Sequence, residues 1–226
     1  MRVSRDGVAG RHAGVLEDQA DVAEGLLTLY AVTADTRWLT TAGLLVDGVL
    51  DHFRDAAGSL YDTAADAEVL LRRPQDPTDN ATPSGPAAAA GVLLTFAAYT
   101  GLSRYREAAE SALAVYAALA RRYPRFAGWG LAVSEAAVDG PREVAVVGEP
   151  GAADWQELRR VAWLGTAPGL VVALGNGAAG DPSAAALLAG RRPVDGRAAA
   201  YVCRGFVCDV PRTDPGQLAV ALGSRA

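Results

Sequence analysis

LLTLYAVTADTRWLTTAGLL (26–45) and LLTFAAYTGLSRYREAAESA (93–112) align without a gap. Leu-Leu-Thr opens both, a Thr follows at the same offset, and Arg plus an aromatic residue, then an Ala, stand in step. Each copy reads as a helix, a tight turn and a second helix. A helical hairpin cannot bury its apolar face alone, so such units either stack or close into a ring.

Working outward, Val22, Leu26 and Leu29, with Ala23, Leu27 and Tyr30, extend the first helix back to Val15. Glu17, Asp18, Asp21 and Glu24 crowd its first turns, where the positive end of the helix dipole favours acids. Trp38, Ala42, Leu45, Val49 and Phe53 form the stripe of a second helix from about Arg37. The connection between the copies is rich in Pro, Asp, Asn and Gly, with short strands expected at Ser59–Asp62 and Val69–Leu71. Long connections inside a compact domain are often functional.

Beyond a helix expected near Phe126–Val138 the period changes. REVAVV reads as a strand, AADWQELRRVAWL as a helix, GLVVAL as a strand, Ser183–Ala189 as a helix and Ala199–Cys203 as a strand. The pattern divides the chain into a helical part, 1–140, and a small α/β part, 141–226.

Composition narrows the function. The 226 residues are 50% hydrophobic and carry a net charge of −5. No basic stripe with interleaved aromatics is present, so nucleic acid is not expected as a partner. No apolar run reaches the length of a membrane span and the start lacks a secretory h-region, which makes the cytoplasm the expected location. With two His and two Cys, a metal site is not expected, and nothing calls for a cofactor.

Three places could carry chemistry. YVCRGFVC (201–208) holds both cysteines. A hairpin there would set Cys203 opposite Cys208, as a redox pair or as two reduced core thiols, and the second is favoured because the spacing is not C-x-x-C. VVGEPGA sets Gly148 and Gly151 between strand and helix but lacks the full phosphate fingerprint, so an ordinary turn is favoured. The inter-copy loop gathers Asp62, Asp66, Glu68, Arg72, Arg73, Asp76, Asp79 and Asn80 beside Tyr61. Carboxylates, a guanidinium and an aromatic platform suit a sugar, and a solvated loop explains the same composition. Glu17 and Asp18 are the next carboxylate candidates.

LEDQADVAEGLLTLYAVTADTRWL, ATPSG before an alanine-rich helix, RYREAAE, PREVAVVGEPG and AAAYVCRGFVC followed by Pro211 and TDPGQLAVAL occur in that order. Together they resemble the C-terminal half of the spermatogenesis-associated protein 20 family, whose bacterial members are the YyaL-type thioredoxin-domain proteins. The resemblance implies an α/α toroid of the six-hairpin glycosidase type, similar to sugar epimerases, joined in the family to a thioredoxin-like domain. The redox motif that names the family has no counterpart here, so no thioredoxin activity is carried over. The family pattern runs Pro-Ser-Gly-Asn-Ser, whereas Pro86 and Ala87 follow Gly85 here. The Tyr201–Cys208 motif matches and falls in the α/β part.

The fold expected is therefore mainly α, an incomplete toroid followed by a small α/β subdomain. The expected function is carbohydrate-related, epimerase- or hydrolase-like, with Asp62, Asp79 and Asp18 as catalytic candidates and Tyr61, Arg72 and Asn80 binding the sugar. The alternative is a non-catalytic interaction module that docks an N-terminal toroid or thioredoxin-like partner, or a second copy. A redox protein using Cys203 and Cys208 comes third. An incomplete ring should expose apolar faces such as Trp38–Leu45–Val49, and either a split gene product or a misplaced start would account for it.

Overall fold

The computed structural model of the chain describes residues 2–5, 8–68, 70–178 and 184–223. An antiparallel hairpin of β1 (Arg2–Arg5) and β2 (Val8–Ala13), which the sequence reading did not anticipate, leads into the helical part. Helix α1 (Leu16–Thr33) and α2 (Thr36–Gly48) form the first hairpin, and α2 runs on into a π-helical turn over Val49–Phe53. The second hairpin is α3 (Gly85–Thr100) with α4 (Ser103–Leu113), followed by α5 (Tyr116–Arg122) and α6 (Gly128–Asp139).

The repeat read from the sequence is reproduced bond for bond at the turns. Ala34 and Gly101 occupy equivalent positions, and both are left-handed, with φ of 57° and 71°. The Thr33 hydroxyl donates to the Leu29 carbonyl at 2.7 Å, and Thr100 does the same to Phe96 at 2.8 Å. Each threonine oxygen then accepts the N–H two residues on, from Asp35 and from Leu102. Ala34 carries a left-handed cost of about 1 kcal/mol that glycine avoids. In that copy Asp35 adds a cap, accepting from the Arg37 N–H at 3.0 Å.

Helix α3 is apolar around its whole circumference, with Ala87, Ala90 and Leu93 at 1% exposure or less. A helix without a polar face belongs at the centre of a domain. It packs between α1 and α6, with α4 behind it.

The α/β part follows the expected order: β3 (Glu143–Val147), α7 (Ala153–Trp163), β4 (Val171–Gly175), β5 (Ala199–Arg204) and β6 (Val207–Cys208), then α8 (Pro215–Ala221). The sheet order is β4-β3-β5-β6, parallel between β3 and β4 and antiparallel elsewhere. Where a helix was expected at 183–189, a 3-10 turn spans Ala186–Leu188, and Ser183 lies outside the described residues. Between the copies, the Ser59–Asp62 stretch forms no strand, only a bridge between Arg54 and Leu60. Leu70 and Leu71 are likewise outside any strand, and Val69 lies outside the described residues.

One face of the sheet packs Val144, Val146 and Val202 with Leu158 and Leu218. The other joins Ala145, Ala173 and Cys203 to the helical core. Tyr99 on α3 donates its hydroxyl to the Val172 carbonyl at 3.0 Å and meets the Tyr30 ring edge-on at 5.0 Å. The Tyr30 hydroxyl in turn accepts from the Ala185 N–H. No helix among the described residues is long and apolar enough to cross a membrane.

Candidate functional site

The helices α1, α3 and α6 begin near one another, and the inter-copy loop is tied to their starts. Leu16 N–H donates to the Asp62 carbonyl at 2.9 Å, and Asp62 N–H to the Pro74 carbonyl. The Asp62 carboxylate accepts from the Asp76 N–H at 3.1 Å. Burial pushes the Asp62 carboxyl above its ordinary range; the Asp76 N–H opposes this, and the charges of Asp76 and Glu17 add to it.

Asp79 bridges two helix starts. Its Oδ1 accepts from Ser84 N–H at 3.0 Å and its Oδ2 from Trp129 N–H at 2.7 Å. Both oxygens thus serve orphan amides, at the N-cap of α3 and in the first turn of α6, the usual task of Asp at such positions. The Ser84 hydroxyl, freed from capping, pairs with the Tyr116 hydroxyl at 2.9 Å. Burial pushes that phenol up to about 12; its bond to Ser84 lowers it, and the charges of Asp79, Asp76 and Asp62 raise it further. Pro86 sits at the first turn of α3, where its missing N–H costs nothing.

The other sequence candidates have local partners. Asp18 accepts from the Val15 N–H at 2.9 Å, closing the start of α1. The Tyr61 hydroxyl donates to Asp55, and the Arg73 guanidinium covers the Tyr61 ring at 4.3 Å. Arg73 also donates to the Thr63 carbonyl at 2.6 Å. One face of the Tyr61 ring, the platform expected for a sugar, is therefore occupied by Arg73, while Arg72 and Asn80 are exposed. The structure brings Asp62 and Asp79 to the same end of the helices, together with Asp76, Ser84 and Tyr116. The sequence reading singled out neither Ser84 nor Tyr116: a Ser just ahead of the alanine-rich helix is a signal that could have found the first, whereas Tyr116 carried none, because it reaches the site only through the packing of α5. Among the described residues no His, Cys, Asp and Glu gather to hold a metal ion.

The strand-to-helix turn at Gly148 is filled by its own chain. Gly148 N–H donates to Gly175, Ala152 N–H to Glu149, and Asp154 accepts from Ala198 N–H at 2.8 Å. With these amides spoken for and two acids at hand, the turn offers little to a phosphate.

Cys203 and Cys208 face each other across β5 and β6, as the hairpin reading expected, but they are joined in a disulfide. This corrects the favoured reading of two reduced core thiols. Opposed positions in an antiparallel pair are close enough for the bond to form without moving the strands. Arg191 Nη2 lies 2.9 Å from the Cys208 sulfur.

The exposed apolar face expected at Trp38–Leu45–Val49 is also not where the sequence placed it. Val49, at the start of the π-helical turn, is buried, and Trp38 and Leu45 on α2 are half-buried. Instead Val22, Leu29 and Val32 on α1 are 45%, 43% and 52% exposed, with Gly25 between them. Beside this stripe a groove of about 580 Å³ runs between α1 and α6 over α3, walled by Val32, Val92, Trp129, Val133 and Trp163.

No family model matches the chain. The chain is 30% identical over 213 residues to "Spermatogenesis-associated protein 20" of Homo sapiens, a match covering 91% of this chain and 27% of the human protein. The mouse and rat proteins of the same name match at 30% as well, with 26% of each covered. The chain thus spans about a quarter of the length of these curated relatives.

Proposed function

We propose that this chain, a homologue of spermatogenesis-associated protein 20, is an interaction module whose helical part docks further helices of its own kind. The observation that carries the reading is the exposed stripe Val22–Gly25–Leu29–Val32 beside a tryptophan-walled groove. Its spacing, alternating three and four residues, is that of a helix face made for another helix. Gly25 has open space around its α-carbon, and Ala88, Gly91 and Ala132 line the groove, so a partner helix can approach closely. About three quarters of the relatives' length lies outside the matched region, ample polypeptide to supply such helices. Two hairpins side by side around a central α3 are also what a partial α/α toroid of the six-hairpin type would contain.

With no other helix present, the same face should pair with itself. Sedimentation velocity across a concentration range is expected to show reversible self-association, lost in Leu29→Glu with thermal stability changed by no more than about 0.5 kcal/mol. A parent chain that stays monomeric throughout would remove the basis for the reading.

A second reading, a sugar or sugar derivative handled at the acidic end in epimerase- or hydrolase-like fashion, is favoured by one observation. Asp62 is a half-buried carboxyl held above its ordinary range near the paired hydroxyls of Ser84 and Tyr116, as an acid/base group would be. Because its folded value is raised, Asp62 costs stability once it ionises. Asp62→Asn keeps an acceptor for Asp76 N–H, so it is expected to raise the urea midpoint at neutral pH, with the gain vanishing in acid where the parent is protonated in both states. A saturating sugar at about a hundred times its dissociation constant should add roughly 2.7 kcal/mol to the parent. The reading requires a shift for some sugar or sugar phosphate that Asp62→Asn abolishes; no shift for any of them ends it.

A further inference from the structure

Val171, Glu143, Cys203 and Cys208 form one row across β4, β3, β5 and β6. Partners in register present their side chains on the same face, so a buried carboxyl stands beside Cys203, which is bonded to half-buried Cys208. Glu143 is 2% exposed, and its Oε2 accepts from the Phe206 N–H at 2.8 Å, holding the tip of the hairpin. Gly205 and Phe206 are both left-handed, with φ of 55° and 66°, the conformation of a two-residue hairpin turn.

Above this row sits Arg191. Its Nη2 is 2.9 Å from the Cys208 sulfur and 4.0 Å from the Cys203 sulfur, and its Nη1 donates to the Ala189 carbonyl at 3.1 Å. The guanidinium lies 5.6 Å over the Tyr201 ring, and its Nε is buried with no acceptor. A neutral disulfide gains little from a cation at this range, whereas a thiolate gains much. As a staple the bond has little to do. It spans a separation of five residues, so it restrains the unfolded chain far less than a long-range crosslink. The strand pairing and the Glu143 anchor already hold the hairpin.

We infer that Cys203–Cys208 is a two-electron thiol–disulfide centre that exchanges with dithiols, with Arg191 holding the thiolate of Cys208. One thiolate of the dithiol attacks the more accessible Cys208 sulfur; the S–S bond breaks and its electron pair leaves on Cys203. The dithiol's second thiol gives its proton to Cys203 and, as a thiolate, attacks the sulfur bound to Cys208. Cys208 departs as a thiolate beside Arg191. The dithiol is oxidised to its disulfide and the protein is reduced, with two electrons transferred. The arrangement is independent of the docking face on α1, so either can fail alone.

The test is alkylation of the folded chain. After incubation with dithiothreitol without denaturant and quenching with iodoacetamide, mass spectrometry should show both cysteines modified and circular dichroism an unchanged helix content. Oxidised glutathione should restore the bond in unquenched samples. In Arg191→Met the reduced Cys208 is expected to alkylate about tenfold more slowly near neutral pH, because its thiolate loses the neighbouring cation, while Arg191→Lys recovers most of the rate. A disulfide that yields only in urea, or an Arg191→Met variant that alkylates as fast as the parent, overturns the assignment.

Discussion

Asp79→Ala is expected to destabilise the chain by about 2–4 kcal/mol, because one carboxylate serves two helix starts at once. Ser84 N–H and Trp129 N–H would both lose their acceptor, and neither lies where another side chain of the loop is bonded to replace it. Asp79→Asn should fall between parent and alanine: its single carbonyl oxygen can still accept one amide, but its NH₂ group would face the other. Urea unfolding of the three proteins measures this directly. The result separates two accounts of Asp79 that composition cannot. A residue kept for chemistry at a solvated loop changes stability by no more than about 0.5 kcal/mol when truncated, whereas a double cap changes it several-fold more. A small loss would return Asp79 to the list of chemical candidates, and a large one would leave Asp62 as the principal carboxylate there.

Why the loop could be found in the sequence but not resolved into roles follows from the same bonds. Acids near helix starts are selected for capping as well as for catalysis, and the chain alone does not show which amide a carboxylate meets. Asp18 meets the Val15 amide and Asp79 meets two. Arg72 and Arg73 are adjacent and chemically identical, yet only Arg73 covers Tyr61, a choice made by the path of an irregular backbone. The helical hairpins were legible because their turns repeat a local chemistry, Thr bonding back to the preceding turn of its helix and accepting from the amide two residues on. The β1–β2 hairpin was not, since RVSRDGVAGRHA lacks a sustained apolar alternation. The exposed stripe was expected on α2 and lies on α1, because periodicity identifies an apolar face without saying which neighbour covers it.

Tyr99→Ala is expected to cost about 3–5 kcal/mol, the range for removing a buried aromatic side chain, and to do so in both halves of the chain together. Tyr99 is 2% exposed on α3, its ring meets Tyr30 of α1, and its hydroxyl reaches the Val172 carbonyl of β4. Burial holds that phenol far above its ordinary range. Tyr99→Phe removes only the donor and should lose about 1 kcal/mol. The sequence divides the chain near residue 140, but the core does not stop there: Ala145, Ala173 and Cys203 pack with the helices. Hydrogen exchange decides between two units and one. If Tyr99 joins them into one, the amides of β3 and of α1 lose protection by the same free energy in Tyr99→Ala. Retention of β3 protection while α1 opens would make 1–140 and 141–226 separate folding units, and would confine the energetic role of Tyr99 to the helical part.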